Sequence, residues 1–173
     1  MKKIGLISDT HGHFDERLER IFSDVDEIWH AGDLGDIHLL EKLQTFKPLR
    51  AVYGNIDDSI TRSELKEDLR FECENLDVYM THIGGYPGKY APKVKEIMMS
   101  NPPKLMIAGH SHILKVIYDK TFDVLHINPG ACGLYGFHSV RTALRFDIEN
   151  GTLQNMEIVE LGARQQKIQT DGK

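Results

Sequence analysis

Lys3-Ile4-Gly5-Leu6-Ile7-Ser8-Asp9-Thr10-His11 is a short apolar run that ends in two metal-competent side chains. A run this short reads as a strand buried on both faces. The same pattern then recurs. Residues 27–30 lead to Gly32-Asp33, residues 49–53 to Gly54-Asn55, residues 78–81 to His82, and residues 105–108 to Gly109-His110-Ser111-His112. Between these runs, Phe14, Leu18, Ile21 and Phe22 fall at helical spacing. So do Ile37, Leu40, Leu43 and Phe46, behind Asp36 as N-cap. Residues 92–100 read as a further helix, with Pro92 in its first turn and Asn101-Pro102-Pro103 as its stop. Strands alternating with helices predict an α/β fold on a parallel sheet.

The pattern changes after the last of these runs. Residues 114–118, 124–127, 139–147 and 153–161 read as consecutive strands joined by short turns, and Asn150-Gly151 is a hairpin turn. They predict a second, mostly antiparallel sheet. A length of 173 residues fits one domain, taken as residues 1–163, with 164–173 as a polar, flexible tail.

Composition removes several function classes. The net charge of -5, without a long basic stretch, disfavours long nucleic acids as partners. No apolar run approaches the roughly 20 residues of a membrane span. Met1-Lys2-Lys3 leads straight into the first strand, so no secretory signal is expected. With Cys73 and Cys132 the only cysteines, the expectation is a cytoplasmic protein with two free thiols.

The candidate ligands are Asp9, His11, Asp33, Asn55, His82, His110 and His112. Each follows a strand, and ligand sites in open α/β sheets lie beyond the carboxyl ends of the strands. Within Asp9-Thr10-His11 and His110-Ser111-His112 the outer side chains are two residues apart, so an extended backbone would turn both toward one centre. Oxygen and nitrogen donors in this mixture suit a pair of borderline divalent cations. Gly32, Gly54 and Gly109 each precede a ligand, where a strand gives way to a tight turn. Thr10, Ser111 and the thiols lack the Ser-His-Asp or Cys-His setting of a nucleophile. His13 follows the first ligand pair and reads as a solvent-exposed helix-entry residue in preference to a substrate contact, His30 inside its strand reads as a packed or supporting residue, and His38, His126 and His138 have no spacing that recruits them as ligands.

These motifs, in this order, resemble the calcineurin-like metallophosphoesterase family and its small single-domain phosphodiesterase branch. Asn128-Pro129-Gly130 extends the resemblance. It implies a four-layer α/β/β/α sandwich of two β-sheets flanked by helices. It also implies one metal on Asp9, His11 and His112, a second on Asn55, His82 and His110, and Asp33 bridging both. Asp33, Asn55 and His82 are then the catalytic candidates. Manganese leads the candidate metals, with iron, zinc, nickel and magnesium as alternatives. The pattern departs from the family at Gly54-Asn55-Ile56-Asp57, where Ile56 replaces a histidine that acts on the leaving group in many members. The small branch commonly lacks it too. Asp57 reads either as a partner that orients a ligand histidine or as a turn aspartate.

The implied activity is hydrolysis of small phosphodiesters by a metal-bridging hydroxide. The alternatives are phosphomonoester hydrolysis and a non-catalytic interaction scaffold, the role of the related retromer subunit. Small members of the family often form oligomers, so a homo-oligomer belongs among the expectations.

Overall fold

The structure is a computed structural model that describes residues 1–164. Its elements, in chain order, are β1 (Lys2–Ile7), α1 (Arg17–Ile21), β2 (Glu27–His30), α2 (Ile37–Phe46), β3 (Leu49–Ala51), α3 (Ser59–Glu64), β4 (Asp68–Cys73), β5 (Leu76–Thr81), β6 (Gly85–Tyr86), β7 (Lys89–Tyr90), α4 (Pro92–Ser100), β8 (Leu105–Ile107), β9 (Leu114–Asp119), β10 (Val124–Pro129), β11 (Val140–Glu149) and β12 (Thr152–Ala163). Of the tail placed at 164–173, residues 165–173 lie outside the described residues.

Two five-stranded sheets organise the chain, in the orders β12-β11-β1-β2-β3 and β4-β5-β8-β10-β9. Strand alternation decides what each face touches. Ile4 and Leu6 of β1, Trp29 of β2, Val78 and Met80 of β5, and Leu105 and Ile107 of β8 fill the space between the sheets. Their neighbours Ile7 and Ile28 face the other way and pack on Leu18, Phe22, Leu40 and Leu43 around α1 and α2. Tyr79 and Met106 turn outward onto Val94 and Met98 of α4. Helix, sheet, sheet, helix is the four-layer arrangement the resemblance implied.

The helices follow their sequence signals. Asp36 caps α2, accepting the Leu39 N–H at 2.9 Å. Pro92 opens α4, where a missing N–H costs nothing. α1 is shorter than the apolar spacing suggested, and Phe14 precedes it.

Strand membership corrects one expectation. The late strands do not form a sheet of their own. β11 and β12 extend the first sheet, with β11 antiparallel to β1, while β9 and β10 complete the second, where β10 runs parallel to β8. The reason lies in β11. Leu144, Phe146 and Ile148 enter the inter-sheet core while Ala143 faces the helices, so this strand needs cover on both sides. Both sheets are therefore mixed: in the first, parallel β1, β2 and β3 run to one edge and antiparallel pairing begins at β11, and in the second, parallel β5, β8 and β10 lie between antiparallel β4 and β9. Asn150 and Gly151 have φ of 49° and 77°, as the predicted hairpin turn requires. No helix among the described residues is long and apolar enough to cross a membrane.

Candidate metal centre

The carboxyl ends of β1, β2, β3, β5 and β8 deliver the candidate ligands to one edge of the sandwich. The donor atoms of Asp9, His11 and His112 lie within 4.8 Å of one another, and so do those of Asp33, His82 and His110. His112 Nε2 is 3.1 Å from Asp9 Oδ1 and 3.3 Å from His11 Nε2. Asp33 stands between the triads, its Oδ1 3.2 Å from His82 Nε2 and its Oδ2 3.9 Å from His11 Nε2. The His110 ring meets the His82 ring edge-on, with centroids 5.2 Å apart. Asn55 is exposed, at a lip shared by a cavity that holds His82 and a second that holds His11, Asp33, His110 and His112.

His110 and His112 therefore serve different triads, whereas Asp9 and His11 serve the same one. The assumption of an extended backbone fails here. Asp9, His11, Asp33, His110 and His112 all have positive φ, between 48° and 69°. The left-handed region costs an L-residue roughly 1–2 kcal/mol. Its concentration on five candidate ligands marks a backbone held by its surroundings for a purpose other than stability.

Those surroundings can be named. Ser8 Oγ donates to Asp9 Oδ2 at 2.6 Å, and the His110 N–H donates to the same oxygen at 3.1 Å. Asp9 Oδ1 is thereby left facing the site. His82 Nδ1 sits 2.7 Å from the Ala31 carbonyl, which can only accept, so Nδ1 carries the proton and Nε2 points to Asp33 and Asp9. Asn128 donates to the Gly109 carbonyl at 2.8 Å and to Ser111 Oγ at 3.1 Å, which ties down the Gly109–His112 turn. Tyr86 adds a short hydrogen bond to Ser111 from the β6–β7 hairpin. The loop after His82 is thus tethered to the site. His30 Nε2 reaches Thr10 Oγ1 at 2.8 Å while its Nδ1 accepts from the Gly32 N–H, a packed supporting role; burial pushes its pKa down to about 4.

Among the described residues, the Asp57 carboxylate hydrogen-bonds no ligand histidine. Its two oxygens accept the N–H groups of Gly35 and Gly54, each at 2.7 Å, clamping the loops that carry Asp33 and Asn55. The turn reading of this residue is the one the structure bears out. Arg62, which the sequence did not single out, donates to the carbonyls of Gly54, Asn55 and Asp57. Gly54 is required by proximity: a Cβ there would come within 2.0 Å of Asp33 Oδ1 and 2.4 Å of the Asp33 nitrogen. Cys132 is buried with its pKa pushed up to about 12, which makes it an inert thiol. Both cysteines are free, as expected.

The residues fit metal ions. Asp9 Oδ1 and His82 Nε2 are buried without a hydrogen-bond partner among the described residues, 4.0 Å apart. Buried polar atoms are otherwise almost always satisfied, so these two orphans, one in each triad, fit bound cations. The electrostatics agree. Burial pulls the His82 pKa down, but Asp33, Asp9 and the Ala31 carbonyl outweigh it and hold the value above normal. Burial raises the Asp33 pKa, and His82, the Ile56 N–H and His11 more than reverse it. The site favours positive charge.

Comparison with known proteins gives the same answer. Residues 1–151 match the calcineurin-like phosphoesterase superfamily domain. A probable metallophosphoesterase of Methanothermobacter thermautotrophicus is 31% identical over 133 residues, covering 74% of this chain and 76% of that protein. A phosphodiesterase of Methanocaldococcus jannaschii is 29% identical over 148 residues, covering 75% and 84%. Among solved structures, an archaeal phosphodiesterase superposes with a TM-score of 0.73 at 25% identity, covering 91% of this chain and 99% of its own. Vps29 of Chaetomium thermophilum shares the fold, with a TM-score of 0.69 at 17% identity and coverage of 95% and 100%. With strand ends, paired triads and relatives in agreement, this chain belongs to the calcineurin-like phosphoesterase superfamily and is a metal-dependent hydrolase of phosphoesters.

Proposed function

We propose that the protein is a dinuclear metal-dependent phosphodiesterase that hydrolyses small phosphodiesters. The position of Asp33, with one oxygen toward each triad, carries this reading. Asp9, His11 and His112 would hold one divalent cation, and Asn55, His82 and His110 the other, with Asp33 shared. Manganese heads the candidates for this mixed oxygen and nitrogen set, ahead of iron, zinc, nickel and magnesium. When bound, such a pair lowers the pKa of a water nucleophile and neutralises charge on phosphoryl oxygens. The two buried free thiols suit a reducing compartment.

The protein's own groups then select the ester. Arg62 is occupied by backbone carbonyls, and Lys93 by Glu67 and Asp68. Neither is left to neutralise a doubly charged monoester. Ile56 occupies the position of a proton donor and cannot donate. Leaving groups that depart without protonation by a side chain are therefore preferred, and a monoanionic diester suits the centre better than a monoester dianion. The test is manganese-dependent hydrolysis of bis(p-nitrophenyl) phosphate against p-nitrophenyl phosphate, with Asp33→Ala and His82→Ala as controls. Diester turnover that exceeds monoester turnover and disappears in both variants supports the reading. No turnover in a protein that holds two metals would move the assignment to an interaction scaffold.

A further inference from the structure

Beside the centre, a cavity of about 280 Å³ has His11, Asp33, Asn55, His110 and His112 on its floor and Ile56, Tyr135 and Phe137 on its walls. These three apolar side chains are 44%, 47% and 100% exposed. A lone exposed apolar residue means little, but three around a polar floor form a surface built for a ligand. We propose that this wall is a subsite for one esterified group of the substrate, and that the group is planar and apolar, an aryl ring or a nucleobase. The inference rests on the phosphodiesterase reading of the floor.

The segment that presents the aromatic pair is fixed to the centre. Gly136, between Tyr135 and Phe137, has φ of 144°, and a Cβ on it would come within 2.1 Å of His112 Nδ1. Its backbone therefore lies against a candidate ligand ring. His138 Nε2 donates to the Gly133 carbonyl at 3.1 Å, which closes the segment on itself with Tyr135 and Phe137 at its apex. Arg164 donates to the Gly136 carbonyl from outside. A fully exposed phenylalanine on a segment so tied cannot retreat into a core, and it stands ready to stack.

The occupant follows from the floor. Whatever fills this space touches the side chains proposed to hold the metal ions that would bind the phosphoryl group, so it is a substituent on phosphorus. The volume lies at the small end of ligand pockets and accommodates a ring-sized group but not a polypeptide. On the other side of Asn55, a second cavity of about 280 Å³ is lined by Arg62, Glu67 and Lys93 and has a different, charged character. A diester has two substituents, and the two cavities offer them unlike environments. Aromatic stacking tolerates any flat ring, so the selection is for planarity and not for one base.

Calorimetric binding of phenylphosphonate and methylphosphonate to the manganese-loaded protein tests this without turnover. The wild type is expected to bind phenylphosphonate about 10-fold tighter or more, within the range of a single stacking contact. Phe137→Ala and Tyr135→Ala should each lose most of that advantage while binding methylphosphonate as the wild type does, and Phe137→Trp should keep it. Equal affinity for the two phosphonates in the wild type, or an advantage that survives both alanine variants, overturns the subsite. Equal affinity together with a dimer that Phe137→Ala converts to monomer would make the wall an interface between copies. Absence of binding by either phosphonate overturns the subsite, and the manganese content of the same sample decides the underlying centre separately: two ions per chain leave it standing, fewer overturn it.

Discussion

His112 and His138 face each other Nδ1 to Nδ1 at 3.2 Å, and the far side of His138 settles which nitrogen donates. His138 Nε2 lies on the Gly133 carbonyl, so it carries the proton, and burial first among several causes keeps the ring neutral by lowering its pKa. Its Nδ1 is then bare and accepts from His112 Nδ1–H. His112 Nε2 is left with a lone pair facing Asp9 Oδ1. A neutral histidine thus does for His112 what a carbonyl does for His82.

Removing that support should weaken metal binding at the Asp9–His11–His112 triad. His138→Ala is expected to lower manganese affinity at one of two sites about 10–100-fold. His138→Gln offers an acceptor and a donor and should recover much of the loss. Calorimetric titration of both variants checks this, and equal affinity in Ala and wild type would remove His138 from the account.

Ile56 is 44% exposed, and its backbone N–H, which bonds Asp33 Oδ1 at 3.0 Å, survives any side-chain change. Ile56→His should therefore fold normally and introduce a proton donor. Hydrolysis of alkyl phosphomonoesters should rise by about 10²-fold or more relative to that of activated diesters. An unchanged ratio of kcat/KM values would mean that this position does not face the leaving group.

Gly54→Ala puts a methyl group against Asp33 at both its carboxylate and its backbone. Overpacking of this kind costs about 1–3 kcal/mol. Because the strain falls on the shared ligand, loss of metal binding should exceed what the drop in thermal stability alone would cause. A variant with wild-type metal content and wild-type melting would contradict the packing described.

His126 lies in β10 on the α4 side, wholly buried, with both ring nitrogens unpartnered among the described residues, and burial pushes its pKa down to about 4. The folded value lies below the ordinary 6.5, so between these values the unfolded chain binds more protons. Stability is fully present above about pH 6.5 and is lost as pH falls toward 4, by roughly 3 kcal/mol at most. His126→Phe keeps the ring packing on Tyr86 and Tyr90 and should flatten this acid-side slope by about one proton. Urea unfolding at pH 5 and pH 7 measures it.

Much of this was legible in the sequence because ligands and strands share a cause. Apolar runs end where the sheet ends, and Asp9, His11, Asp33, Asn55, His82, His110 and His112 sit at those ends. Other features depend on distant partners. His138 gains its role only when the chain folds back onto His112, and Arg62 only when it reaches the carbonyls beside Asn55. The left-handed backbone at the ligands leaves no mark in composition, since Asp and His are not glycine. β4 could have been found. Leu69, Phe71 and Cys73 alternate with polar residues ahead of Glu74-Asn75, whose φ of 48° and 66° make a tight hairpin turn. The pairing of β11 with β1 was hidden, because the alternation of Leu144, Phe146 and Ile148 with Arg145 and Asp147 marks a buried face but does not name the neighbouring strand.

The most direct test is anomalous diffraction from crystals of the manganese-loaded protein. The account predicts two anomalous peaks, one beside Asp9, His11 and His112 and one beside Asn55, His82 and His110, both in contact with Asp33. A single peak, or two peaks that do not share Asp33, would contradict the dinuclear centre.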